Sequence, residues 1–201
     1  MSEDFLIEWL DHHIWRQIQA MMLDDAYFKL MGRARELTGE FNGPIAALIQ
    51  VGYVTSQTLA IRRLCDSGRD VISLRRTLME AKARSLLPGA QIDPLLSRLD
   101  CCDHVCRLVN NYIAHTANPL RRPNAAEWNL QTGHLTDAHK AICEVAITLD
   151  RDLLHRTNHV NIIPVPQFPI MEEFKSWVSD ADVKELWRFW HDQNEAVNAW
   201  L

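Results

Sequence analysis

The window Arg107-Leu108-Val109-Asn110-Asn111-Tyr112-Ile113-Ala114-His115-Thr116 holds the side chains best suited to chemistry. Its polar groups close an otherwise apolar helical stretch. Arg107, Asn111 and His115 follow at intervals of four residues. On an α-helix they share one face that drifts by about 40° per step. An imidazole at a helix C-terminus feels the negative end of the helix dipole, which favours its protonated form by up to ~2 kcal/mol. Such a histidine titrates near neutral pH and serves as acid or base. The plainer reading is a helix-ending histidine that bonds the last carbonyls, with Asn110 and Asn111 satisfying nearby backbone.

A second group is cationic. Arg62, Arg63, Arg75 and Arg76 lie near Asp66 and Asp70, and Arg62 and Asp66 have the i,i+4 spacing of a helical ion pair. Arg121 and Arg122 follow the histidine window, and loop arginines beside a phosphate site position nucleic acid. Arg62, Arg63, Arg75, Arg121 and Arg122 are therefore candidate substrate-binding residues. The plainer alternative is a structural ion-pair network.

Other clusters point away from metals and cofactors. Cys101-Cys102-Asp103-His104-Val105-Cys106 offers ligand types. On a regular helix, however, His104 points about 160° away from Cys106, and the spacing matches no common zinc pattern. These cysteines read as small core hydrophobes. His12 and His13, with Glu8 and Asp11, lack the Glu-x-x-His order of bundle metal sites, and Leu10 and Ile14 claim the inward face. Trp177, Trp187, Trp190 and Trp200 read as core or interface anchors. There is no glycine-rich phosphate loop, glycine-flanked nucleophilic serine or dinucleotide fingerprint. No metal and no cofactor are expected.

The elements that must position these residues are helices. The 201 residues are 47% hydrophobic and 23% charged, as in a globular chain, and 21 basic against 26 acidic residues give a net charge of −5. That balance excludes a basic surface over the whole molecule. Seven glycines and eight prolines are too few for a turn-rich β-sandwich. No apolar run approaches the roughly 18 residues of a membrane span, and the N-terminus is acidic where a secretory signal is basic. The five cysteines are irregularly spaced. The chain reads as cytoplasmic, with no membrane partner.

The apolar spacing predicts a first helix capped by Ser2 and a second over about 25–37, which continues the first or breaks near Asp24. Pro44 opens a helix to about Asp66, apolar around much of its circumference and read as the central buried helix. Asp70 is read as the cap of the next helix. Pro94 opens another, ending around 115–118. Residues 116–133 read as a long loop, and Thr136 as the cap of a helix to about Leu154. Asn161–Pro169 carries three prolines and reads as linker, followed by helices over 171–178 and 182–201. The predicted fold is all-α: a bundle over 1–160 with long central helices, and a C-terminal helical appendage over 161–201 packing on the bundle or a partner.

Asn110-Asn111-Tyr112-Ile113-Ala114-His115 resembles the signature of the HEPN superfamily, all-α up-down bundles of bacterial defence and toxin–antitoxin systems. The run Ser56-Gln57-Thr58-Leu59-Ala60-Ile61-Arg62-Arg63-Leu64-Cys65-Asp66, followed by Asp70-Val71-Ile72-Ser73-Leu74-Arg75-Arg76-Thr77-Leu78, resembles its AbiU2-like branch. The resemblance covers roughly residues 1–157. It implies a homodimer in which two motifs face one cleft, RNA as substrate, and an antitoxin or other protein as partner. Active members are metal-independent ribonucleases. An arginine stabilises charge on the phosphate and a histidine assists proton transfer as the 2′-hydroxyl attacks. His115 matches the histidine and Asn110 the polar residue after the arginine, with Asn111 as a further orienting group. The arginine position falls on Val109, and Arg107 lies two residues too early. Two readings follow. One is a degenerate endoribonuclease using His115, Asn110, Asn111 and Arg107, in which Val109→Arg should raise activity. The other is a non-catalytic helical interaction module.

Overall fold

The computed structural model describes residues 4–39, 43–110, 130–156, 162, 175 and 178–200. Every regular element among them is helical: α1 (Asp4–Trp9), a π-helical turn (Leu10–Ile14), α2 (Trp15–Thr38), α3 (Pro44–Cys65), α4 (Leu74–Ala83), α5 (Gly89–Arg98), a 3₁₀ turn (Leu99–Cys102), α6 (Asp103–Leu108), α7 (Thr132–Ile147), a second π-helical turn (Thr148–Leu153) and α8 (Asp180–Asn198). None is long and apolar enough to cross a membrane. The predicted all-α class therefore holds for the described residues.

The ends of these helices follow local chemistry. Ser73, extended at φ −141°, accepts a 3.0 Å hydrogen bond from the Arg76 amide and starts α4, so the cap is Ser73 and not Asp70. Asp70 is bypassed because Ser73 sits immediately before the apolar face of Leu74, Leu78 and Ala81. Pro88 begins α5, and Pro94 lies inside that helix instead of opening it. A proline there forfeits the bond its N–H would give to the carbonyl of residue 90 and sets its ring against that carbonyl. α7 starts at Thr132, ahead of the expected Thr136. The Gln131 amide donates to His134 Nδ1 at 3.2 Å, while the Thr136 hydroxyl turns back to the Thr132 carbonyl at 3.2 Å. Ser179 caps α8 reciprocally with Asp182. From Asp4 to Thr38 the chain stays helical through the π turn, with no break near Asp24.

The chain divides into two compact units. The first comprises Met1–Ile18 and Thr55–Asn158. Its core is made of Leu6, Leu10, Ile14, Ile61, Leu64, Leu74, Leu78, Ile92, Leu99, Val105, Val109, Ile142 and Leu149, all fully buried. Here α7 packs on the 3₁₀ turn and α5, and α1 packs on α4. His12 and His13 are exposed, as expected from the inward Leu10 and Ile14. Arg156 donates two bonds to the Asp11 carboxylate, at 2.9 and 3.1 Å, and pairs with the buried Asp150 at 3.0 Å.

The second unit comprises Gln19–Val54 and His159–Leu201. Val183, Leu186, Trp190 and Val197 form the buried stripe of α8. Trp190 meets Tyr27 of α2 with ring centroids 5.3 Å apart, and Arg33 pairs with Glu185. Tyr53 stacks on Phe28 at 3.7 Å and donates to the buried Asp25 carboxylate at 2.5 Å, and Lys29 pairs with Asp25 at 2.7 Å. The first half of α3 departs from the central buried helix read from sequence. Leu48 is 73% exposed and Val51 63%. Continuous apolarity does not distinguish a helix buried all round from one with an uncovered apolar face.

Candidate functional site

A polar cleft of about 310 Å³ lies in the first unit, lined by Arg62, Cys65, Asp66, Ser67, Arg75, Asp103, Cys106 and Asn110. Its walls are the C-terminal end of α3, the start of α4, and α6. Asp66 organises the turn after α3. One carboxylate oxygen accepts from the Gly68 amide at 2.8 Å, and the other pairs with Arg62 at 3.4 Å. A Cβ on Gly68 would stand 3.1 Å from that first oxygen, a tight contact that the carboxylate would have to relieve by shifting. The Ser73 hydroxyl donates to the Asp66 carbonyl, joining this turn to the α4 cap.

Arg62 Nε donates to Asn110 Oδ1 at 2.5 Å, tying the end of α3 to a residue inside the histidine window. Arg75 is more fully engaged. It donates to Asp103 and to the Leu99 carbonyl, both at 2.9 Å, and to Asp100 at 3.3 Å. Among the described residues, the lining carries two guanidinium groups and two carboxylates. Each of these guanidinium groups meets a carboxylate, which offsets much of its own pull on a polyanion.

The predicted site residues separate in this frame. Arg62, Arg75 and Asn110 come together at the cleft. Arg63 is exposed and outside it, and so is Arg107. Asn111, His115, Arg121 and Arg122 lie outside the described residues. Arg76 faces a different partner, Glu80, which also accepts from Arg84 at 2.7 Å. Val109, at the position of the family's arginine, is 0% exposed. Helical backbone continues through Val109 at φ −59°, ψ −50° and on into Asn110 with a π-type turn. Its side chain belongs to the same apolar face as Val105. An arginine in place of Val109 would start inside the core and not in the cleft lining.

The sequence reading missed the convergence of Cys65 with Cys102 and Cys106. These thiols lie near enough to shift one another's titration, with Cys65 influenced by both of the others. The i,i+4 spacing of Cys102 and Cys106 was a visible signal for half of this cluster. The arrival of Cys65 is a tertiary event. Among the described residues no group of His, Cys, Asp and Glu is placed to hold a metal ion. His104 and His134 meet ring to ring with centroids 4.8 Å apart, and His134 is occupied by the Gln131 amide.

No family model matches the chain, and no curated protein or solved structure shows significant similarity to it.

Proposed function

We propose that this chain is a HEPN-like helical module of bacterial defence or toxin-related type, which dimerises and binds a partner without cleaving RNA. The observation that carries the non-catalytic part is the complete burial of Val109. The position that the HEPN resemblance assigns to a charge-stabilising arginine is spent on packing. Arg107 does not replace it, being exposed and outside the cleft lining. Removing one donor aimed at a developing anion typically costs about 10²–10³ in rate. Arg62 and Arg75, the cleft cations among the described residues, are also paired with Asp66, Asp100 and Asp103.

The uncovered face of α3 supports association. Pro44 to Ile61 contains no charged residue, and Leu48, Ile49 and Val51 project from it. An uncharged face of this kind suits a second copy of itself, since an isologous contact sets each residue type against its own kind.

The ribonuclease reading has one observation in its favour. The Arg62–Asn110 bond sets a guanidinium beside one of the polar residues of the histidine window. A chelator-treated RNA cleavage assay on the parent and His115→Ala separates the two. Identical background decay for both proteins is the expected result. A product that appears with the parent and disappears with His115→Ala would overturn the non-catalytic reading.

A further inference from the structure

Dimerisation, the part of the proposed function on which this inference rests, calls for a seat of matching shape, and the second unit carries one. Phe28, Met31, Gly32 and Arg35 of α2 face Ile49 of α3 across a groove of about 80 Å³. The four α2 residues stand at i, i+3, i+4 and i+7, the diamond that receives one side chain of a facing helix in knobs-into-holes packing. The volume suits the tip of a single aliphatic side chain. Sites for small molecules and cofactors are several times larger, about 300–1,000 Å³.

A candidate knob lies on the same helix pair. Among the described residues, the exposed large apolar side chains fall within one turn of α3: Leu48 at 73%, Val51 at 63% and Ile49 at 36%. Two glycines mark the same pair of helices. Gly32 lies in the interior of α2 and Gly52 in that of α3. A Cβ at either position would meet nothing within 4 Å, and neither has the positive φ that favours glycine. Glycine inside a helix is less stable than alanine. Neither the backbone conformation nor the packing of this chain calls for it here. What a missing Cβ permits is the close approach of another backbone.

Charge selects the occupant. Residues 44–54 contain no Asp, Glu, Lys or Arg, whereas the whole chain carries a net charge of −5. Two copies repel wherever their charged surfaces meet, and least where neither contributes charge. A basic partner would be held by carboxylates, and the groove lining has none. An acidic partner would set its charges against Leu48 and Val51. A second copy meets neither penalty and brings its own knob. We propose that two copies pair through α2 and α3 of the second unit, the partner's Leu48 entering the groove over Gly32 and this copy's Leu48 entering the partner's groove. The exchange is isologous, so it closes at two copies.

Sedimentation velocity of the full chain over a concentration series is expected to show a dimer. Gly32→Leu fills the groove while raising helix propensity, so its circular dichroism should stay helical. Leu48→Glu places a carboxylate at the knob. In each variant the dimer dissociation constant should rise at least about tenfold, because a buried leucine contact is lost twice across the symmetry axis. The seat itself is tested with a mixture of Gly32→Cys and Leu48→Cys proteins, one isotopically labelled and both carrying Cys101→Ser to remove the exposed thiol. Mild oxidation should give a disulfide peptide joining position 32 of one copy to position 48 of the other. A chain that stays monomeric at every concentration would overturn both the seat and the dimerisation on which it rests. A dimer that persists unchanged in Gly32→Leu and Leu48→Glu would overturn the seat alone. So would a mixture that links position 48 to position 48 and never to position 32.

Discussion

Val109→Arg is expected to destabilise the first unit by about 3–5 kcal/mol, the cost of a buried charge left without a partner, and to yield no RNA cleavage. Val109 has no exposed surface and continues the core face of Val105. A guanidinium there would have to leave the core by bending the helix, or remain in it without a carboxylate. The cleft carboxylates Asp66 and Asp103 are already paired to Arg62 and Arg75. Urea denaturation followed by circular dichroism measures the loss as a lower midpoint at unchanged slope. A variant as stable as the parent would place residue 109 on the surface. Val109→Ala is a useful companion, because it removes volume without adding charge. Its smaller loss would separate cavity formation from charge burial.

Arg156→Met should cost about 3 kcal/mol at neutral pH, because the buried Asp150 carboxylate loses its cation. Asp150 is 4% exposed and lies 3.0 Å from the Arg156 guanidinium. Burial is the main cause that holds its carboxyl above the ordinary range. Arg156 opposes that shift and Asp11 adds to it. The sign follows from linkage. A carboxyl whose folded pKa is raised binds protons more readily in the native state than in the unfolded one. Its contribution to stability is complete below the ordinary value of about 4 and declines as pH rises through the raised value. Removing Arg156 raises that value further. The deficit of Arg156→Met relative to the parent should therefore be largest at neutral pH and shrink as the solution is acidified through the raised pKa of Asp150. Stability measured across that range in both proteins checks the direction. A deficit that grows on acidification would contradict the assignment.

Helix type was legible because spacing of three and four between apolar residues depends only on the sequence. The inward Leu10 and Ile14 against the outward His12 and His13 are one instance. The buried Trp190 of α8, read as a core or interface anchor, is another. Helix starts were less legible, since several side chains competed for each cap. Asp70 and Ser73 both have capping chemistry, and the one adjoining the buried Leu74 prevails. Pro94 reads as a start in isolation, yet lies inside a helix that Pro88 has already begun. The exposure of Leu48 and Val51 was not legible, because an apolar residue does not declare whether anything covers it. At the site, the Arg62–Asp66 pair followed from their spacing. The Arg62–Asn110 bond and the junction of Cys65 with Cys106 join segments far apart in sequence, which no local pattern encodes. The HEPN resemblance named position 109 as the one that matters, but only the fold gives that side chain its surroundings.

The most direct test of the account asks whether the Val109 methyl groups meet solvent. Methyl-labelled protein titrated with a soluble gadolinium chelate answers it, with the exposed Leu48 and Val51 methyls as internal references. The account predicts that Leu48 and Val51 signals broaden while those of Val109 keep their intensity. Val109 methyls that broaden in step with Leu48 and Val51 would show a solvent-facing position where an arginine could work, and would contradict the reading of this cleft as non-catalytic.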